Sequence, residues 1–70
     1  HEQKDKRALE FAKRAYDLAP QSPVILDTYG WMLVSAGNVK EGVAYLEQAE
    51  KIAPDNADVK EHLQKARQQL

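Results

Sequence analysis

The stretch GVAYLEQAEKIAPDN, residues 42–56, has a second copy in the same chain. The copy is ALEFAKRAYDLAPQS, residues 8–22, which begins 34 residues earlier. Equivalent positions carry identical or chemically similar residues, and the matched pairs are Leu9/Val43, Phe11/Tyr45, Ala15/Ala49, Leu18/Ile52, Ala19/Ala53 and Pro20/Pro54. An internal period of this length indicates one small unit that is repeated, rather than a set of unrelated helices.

Helical periodicity and punctuation residues predict four helices. We expect them at about 5–19, 23–36, 39–53 and from 57 nearly to 70. Pro20 and Pro54 follow the first and third helices, where a helix cannot easily continue. Ser22 and Asn56 stand at the N-cap positions of the second and fourth helices, which these residue types favour. Gly37 supplies a left-handed stop after the second helix. Because the connections are short, consecutive helices are expected to lie antiparallel.

Length and composition exclude several classes of protein. The chain has 70 residues, enough for one small domain, and no cysteine, so it has neither disulfides nor thiolate metal sites. Its net charge is -1, so it lacks the basic surplus that nucleic-acid binding needs. No apolar run approaches the roughly 18 residues that span a bilayer, so we expect no direct membrane insertion. The chain begins at His1 rather than at a methionine, so we interpret it as a piece of a longer or processed protein whose compartment the sequence does not indicate.

The period and the residues at fixed places within it resemble the tetratricopeptide repeat family, whose pattern is W-x2-L-G-x2-Y, then A-x3-F, then P. The matching residues are Leu26 at the Trp place, Tyr29, Gly30 and Leu33 after it, Gly42 at the Ala place, Leu46 at the Phe place, Ala49 and Pro54. The segment LDTYGW, residues 26–31, also resembles repeats of large bacterial proteins of this family.

The resemblance covers nearly the whole chain and implies an all-α fold. Antiparallel helix-turn-helix repeats would form a right-handed superhelical stack of about four helices. Residues 1–70 would form one domain with three parts. The parts are the second helix of a preceding repeat at 5–19, one complete repeat at 23–56 and a C-terminal capping helix at 57–70.

Two positions depart from the family pattern. Gly42 replaces the usual alanine, at a cost of about 1 kcal/mol in a helix interior. We expect it to permit a very close approach of the second and third helices, as Gly30 does from the other side. Trp31 follows Gly30 directly, where the family requires no aromatic residue, so it is the residue that the family pattern explains least.

The resemblance implies a protein–protein interaction module, because the first helices of such repeats line a concave groove that binds a partner segment. It places Asp27, Trp31 and Ser35 in the groove, together with Glu61 and Lys65 from the last helix. A tryptophan beside carboxylates favours a peptide with a basic or apolar side chain. The acidic Asp27 and Glu61 disfavour acidic C-terminal tails. A structural alternative has Trp31 half-buried over the aliphatic stems of the last helix.

The first helix carries two apolar stripes, of which only one can face the second helix. One stripe is Leu9, Ala12, Tyr16 and Ala19, and the other is Ala8, Phe11, Ala15 and Leu18. The stripe left over is covered either by upstream helices or by a second chain. The second possibility predicts a homodimer through Leu9, Phe11 and Tyr16. The last helix has a single stripe, Val59, Leu63, Ala66 and Leu70, as expected where a solenoid closes.

The residues with catalytic potential are few. His62 follows Asp58 by one helical turn, but two ligands do not make a metal site, so we interpret it as a surface histidine near a carboxylate. Ser22 is explained as a cap, and Ser35 has no base nearby. The glycines form no phosphate-binding loop. The sequence therefore predicts no enzyme, no cofactor and no metal, and the expected partner is a protein or peptide.

Overall fold

The computed structural model describes residues 2–70, with side chains described from Arg7 onward; His1, which the one-domain prediction includes, lies outside the described residues. The described chain is entirely helical apart from its turns. The four helices are α1 (Glu2–Leu18), α2 (Pro23–Ser35), α3 (Val39–Ile52) and α4 (Ala57–Arg67). The prediction of an all-α chain with four helices is confirmed. The largest differences from the predicted boundaries are that α1 begins at Glu2 rather than near Asp5 and that α4 ends at Arg67.

The α1–α2 and α3–α4 turns have the same construction. In the first, the side chain of Ser22 accepts a hydrogen bond from the Ile25 amide, and in the second Asn56 accepts one from Val59. The backbone amides of the two cap residues also bond in the same way. Ser22 donates to the carbonyl oxygen of Ala19 at 3.1 Å, and Asn56 donates to that of Ala53 at 3.1 Å. The two predicted caps are confirmed, and the sequence period therefore has a counterpart in backbone geometry.

The α2–α3 turn is built around Gly37, the one residue among 2–70 with a positive φ, at 96°. This left-handed conformation lets the Asn38 amide donate to the Leu33 carbonyl at 2.8 Å, while the Gly37 amide donates to Val34 at 3.0 Å. The predicted glycine stop is confirmed. Only three residues therefore separate the end of α2 from the start of α3, which turns back along α2.

α2 is the central helix, because it contacts α1, α3 and α4. Leu26, near its start, shares a buried cluster with Ala49, near the end of α3. Val34, near its end, shares another with Val43, near the start of α3. α2 and α3 therefore run antiparallel, as predicted from the short connection.

α4 runs in the same direction as α2. Leu26 of α2 shares its cluster with Val59, in the first turn of α4, while Val34 shares its cluster with Ala66, in the last turn. Three of the four residues predicted for the α4 stripe are buried, whereas Leu70 is exposed because it lies beyond the end of the helix.

α2 and α3 approach most closely at Gly30 and Gly42. A Cβ atom built on Gly42 would lie 2.5 Å from the Gly30 carbonyl oxygen and would also overlap the Val34 side chain. One built on Gly30 would lie 2.9 Å from the Gly42 carbonyl oxygen. Atoms of this kind cannot come so close, so both glycines are needed for the packing. This confirms the expected close approach and explains the departure from alanine at Gly42.

None of the four helices, over the residues described, combines the length and apolar character needed to cross a membrane.

Candidate functional site

Asp27 of α2 and His62 of α4 form the main polar contact between these helices. The Nδ1 atom of His62 lies 2.7 Å from Oδ1 of Asp27, and the side chains are 31% and 14% exposed. A carboxylate offers only acceptor atoms, so Nδ1 carries the hydrogen and donates it to Asp27. The carboxylate that bonds to His62 is therefore Asp27, whereas the sequence pattern had associated the histidine with Asp58, one turn before it on α4.

Trp31 stacks on the same histidine. The ring centroids of Trp31 and His62 are 4.6 Å apart and the ring planes are inclined by 21°. Trp31 is partly buried, and it packs against the cluster that includes Val34 and Leu63. The structural alternative for Trp31 is thus correct in its half-buried packing against α4, although its main neighbour is an aromatic ring rather than an aliphatic stem. Part of the indole remains exposed.

Glu61 and Lys65 pair with each other on α4, one turn apart, with Lys65 Nζ 3.0 Å from Glu61 Oε1. Both side chains are more than half exposed. The hydrogen bond from Lys65 lowers the pKa of Glu61, and the charge of Lys65 lowers it further. We refer to Asp27, Trp31, Glu61, His62 and Lys65 together as the α2–α4 face.

Ser35 does not belong to this face. It is exposed at the end of α2 and lines a depression with Ala8 of α1, Met32 of α2 and Ala36, which directly follows α2. The depression lies on the α1 side of α2, away from α4. Of the five residues predicted for the groove, the structure brings Asp27 and Trp31 together around His62. Glu61 and Lys65 flank them.

The three residues predicted for self-association lie on different sides of α1. Leu9 and Tyr16 pack against the buried cluster of Ala12, Tyr29 and Leu33 and are themselves partly buried. Phe11 is 67% exposed. Leu18, from the same predicted stripe as Phe11, is 87% exposed. An outer apolar surface of α1 therefore consists of Phe11 and Leu18, without Leu9 and Tyr16.

Tyr16 instead joins an aromatic cluster with Tyr29 and Tyr45. The ring centroids lie 4.8 to 5.5 Å apart, within the range of favourable aromatic pairs. Burial raises the pKa of Tyr29 and of Tyr45 above the usual 10.0, and the charges of neighbouring acidic groups raise both further. Because its three rings come from α1, α2 and α3, this cluster packs α1 against α2 and α3 and has a structural role.

His62 is the residue of the face that the sequence reasoning did not include. A signal for it exists in the period. Since α2 and α4 run in the same direction one repeat apart, residues separated by 34 or 35 positions lie side by side, and Asp27 and His62 are separated by 35. Local spacing within α4 pointed only to Asp58. Among the described side chains, no group of three or more potential ligands is placed to hold a metal ion.

A scan against models of known protein families finds no match, and searches of curated proteins and of solved structures find no match either.

Proposed function

We propose that this chain is a protein–protein interaction module of the tetratricopeptide type, in a right-handed superhelical stack, and that the α2–α4 face binds a segment of a partner protein. The repeat assignment is supported by the 34-residue period and by the two turns of matching construction. The glycine pair at Gly30 and Gly42 also agrees with the close packing within one repeat. The proposal assigns the chain no catalytic step and no cofactor.

The stacked pair of Trp31 and His62 is the observation that carries the binding role. Aromatic residues that remain partly exposed beside charged groups are typical centres of protein interfaces, because burying them on association releases much free energy. Here the pair is flanked by the exposed Glu61 and Lys65. Such a polar rim around an aromatic centre resembles the organisation of known interfaces.

The experiment is selection of peptides from a random display library on the folded chain, followed by affinity measurement with the variant Trp31→Ala. The matched control is Val24→Ala, which removes a 64% exposed side chain from the first turn of the same helix. We expect Trp31→Ala to weaken binding at least tenfold while far-ultraviolet circular dichroism stays close to wild type, and Val24→Ala to change neither. Peptides that bind both variants equally would place the interface elsewhere.

The exposed face of α1 supports a second candidate, self-association. Phe11 and Leu18 are large apolar side chains that are mostly exposed, and small soluble chains tend to cover such surfaces. A homodimer in which α1 packs against its copy would bury both. In that case the chain would act as an assembly element.

Sedimentation equilibrium over a wide range of concentration tests this candidate. We expect Phe11→Glu to convert any dimer to monomer, whereas Val24→Glu, equally exposed but on α2, should leave the dimer intact. A wild-type chain that remains monomeric at every concentration would eliminate self-association through α1. A Phe11→Glu dimer would do the same.

A further inference from the structure

We infer that the partner segment presents an arginine side chain, whose guanidinium group donates a hydrogen bond to Nε2 of His62 and lies parallel to the indole of Trp31. This inference rests on the proposed function, since it names the chemistry that the α2–α4 face would recognise. Three properties of the face support it: the polarity of the free histidine nitrogen, the orientation of the stacked rings and the balance of charge.

The first property follows from the contact between His62 and Asp27. When the His62 ring is neutral, Nδ1 holds the only ring hydrogen and donates it to the carboxylate at 2.7 Å, which leaves a lone pair on Nε2, at the opposite edge. Asp27 is largely buried and fixes both the tautomer and the orientation of the ring. The face therefore offers a hydrogen-bond acceptor in a fixed direction, which calls for a donor from the partner.

The second property is the near-parallel stacking of the two rings. A planar donor that bonds to Nε2 in the plane of the imidazole would be coplanar with the His62 ring. Since that ring is inclined by only 21° to the indole of Trp31, the donor would lie nearly parallel to the indole as well. A guanidinium group is planar and stacks well on aromatic rings, and its five N–H groups can bond in its own plane. The ammonium group of lysine is compact and not planar, so it satisfies the hydrogen bond without the stacking.

The third property is the charge of the surroundings. Asp58 lies one turn before His62 on α4 and is exposed, and no ion pair involves it among the described side chains. Glu61 is adjacent to His62 in sequence and forms an ion pair with Lys65. Asp27, Asp58, Glu61 and Lys65 together supply three carboxylates and one ammonium group, so this set of residues favours a cation. Asp58, one turn from His62, and Glu61, its neighbour in sequence, are the carboxylates of α4 to which the remaining N–H groups of the guanidinium would donate.

The test begins with the peptides selected on the folded chain, whose arginine content is compared with that of the unselected library. One selected peptide is then synthesised with its conserved arginine, with lysine and with citrulline, which keeps the planar shape but has no charge. Fluorescence of Trp31, the only tryptophan of the chain, reports binding. We expect the citrulline peptide to bind at least about tenfold more weakly than the arginine peptide, and the lysine peptide to lie between them.

Matched variants of the protein complete the test. Asp58→Asn should weaken binding of the arginine peptide several-fold and leave binding of the citrulline peptide unchanged. Asp55→Asn, which alters an exposed carboxylate in the α3–α4 turn, should affect the binding of neither peptide. Circular dichroism checks that each variant keeps its helices. Two outcomes would overturn the inference and leave the proposed function standing: selection of Trp31-dependent peptides without enrichment in arginine, or equal affinity of the arginine and citrulline peptides. Failure to obtain any Trp31-dependent peptide would instead overturn the proposed function.

Discussion

The two interfaces that α2 makes with α3 and with α4 differ in kind. Toward α3 the contact is close and apolar, with backbone against backbone at Gly30 and Gly42 and with Leu46 fully buried. Toward α4 part of the contact is also apolar. Beside this apolar part lies a polar and aromatic contact formed by Asp27, Trp31 and His62. The α3 interface cannot accommodate larger side chains at the two glycines, and little of its surface is exposed. The α4 interface keeps part of its aromatic surface exposed.

This difference separates the residues that hold the fold from those that are available for binding. Burial of aliphatic side chains is the main favourable term in folding, and the fully buried Leu26, Leu46 and Leu63 supply it. Trp31 and His62 are only partly buried, so part of their apolar surface remains to be covered on association. The comparison therefore predicts large effects on stability at the α2–α3 contact and smaller ones at the α2–α4 face.

The largest effect is expected for Gly42→Ala. The added Cβ would overlap the Val34 side chain and lie 2.5 Å from the Gly30 carbonyl oxygen, so α2 and α3 must move apart. Overpacking of this kind costs roughly 1–3 kcal/mol, a large share of the few kcal/mol expected for a domain of this size. Urea denaturation followed by circular dichroism measures the change.

The neighbouring exposed variant Glu41→Ala serves as the control, and its free energy of unfolding should remain within about 0.5 kcal/mol of wild type. If the interface were open at Gly42, alanine would instead stabilise the helix by about 1 kcal/mol. An increase in the urea midpoint of Gly42→Ala would therefore contradict the close contact.

The next effect is expected for Asp27→Asn, which removes the charge that holds His62. The variant should lose about 1 kcal/mol of unfolding free energy, because a largely buried hydrogen bond to a charged group is weakened. Asp55→Asn changes an exposed carboxylate and should have almost no effect. If both variants matched wild type in urea denaturation, the contact with His62 would not contribute to the docking of α4.

A smaller effect concerns the tyrosine cluster at alkaline pH. Burial raises the pKa of Tyr29 and Tyr45 above 10.0, so the unfolded chain loses these protons at lower pH than the folded chain does. The contribution of the neutral phenols is complete below pH 10.0 and is lost as pH rises through the folded-state pKa. Urea midpoints measured across this range should fall for wild type and fall less steeply for Tyr45→Phe. Equal slopes would contradict the burial of Tyr45.

The smallest effect is expected at Glu61, whose pKa is lowered by Lys65. Since the folded chain releases this proton more easily, the contribution is present above the unfolded-state pKa and is lost as pH falls through the folded-state pKa. The pair is exposed, so Glu61→Gln should shift the urea midpoint at neutral pH only slightly, and added salt should remove the difference. A large, salt-independent loss would mean that the pair has a structural role beyond the exposed surface of α4.

The fold was largely predictable because its signals are local or periodic. Prolines, the caps Ser22 and Asn56, and Gly37 set the turns, and all of them act over a few residues. The closeness of Gly30 and Gly42 also followed from the positions of the two glycines in the pattern. The boundary of α4 was less predictable, since nothing in its sequence distinguishes the last helical turn from the exposed residues after it.

The site was predictable only in part because its decisive contact is distant in sequence. Local spacing associates His62 with Asp58, whereas packing of α2 beside α4 associates it with Asp27. Ser35 shares a helical stripe with Trp31, but it lines a depression with Ala8 of α1 rather than with residues of α4. On α1, the sequence showed two apolar stripes but did not determine which side chains turn inward, and Leu9 and Tyr16 proved to do so.

The central claim is that the α2–α4 face, rather than α1, meets the partner. The most direct test is to add a selected peptide to the isotopically labelled chain and to record which amide resonances shift. We predict shifts at the indole N–H of Trp31, around Asp27 and along the exposed side of α4 near His62, with α3 little affected. Shifts centred on Phe11 and Leu18 of α1, with Trp31 unchanged, would contradict the claim.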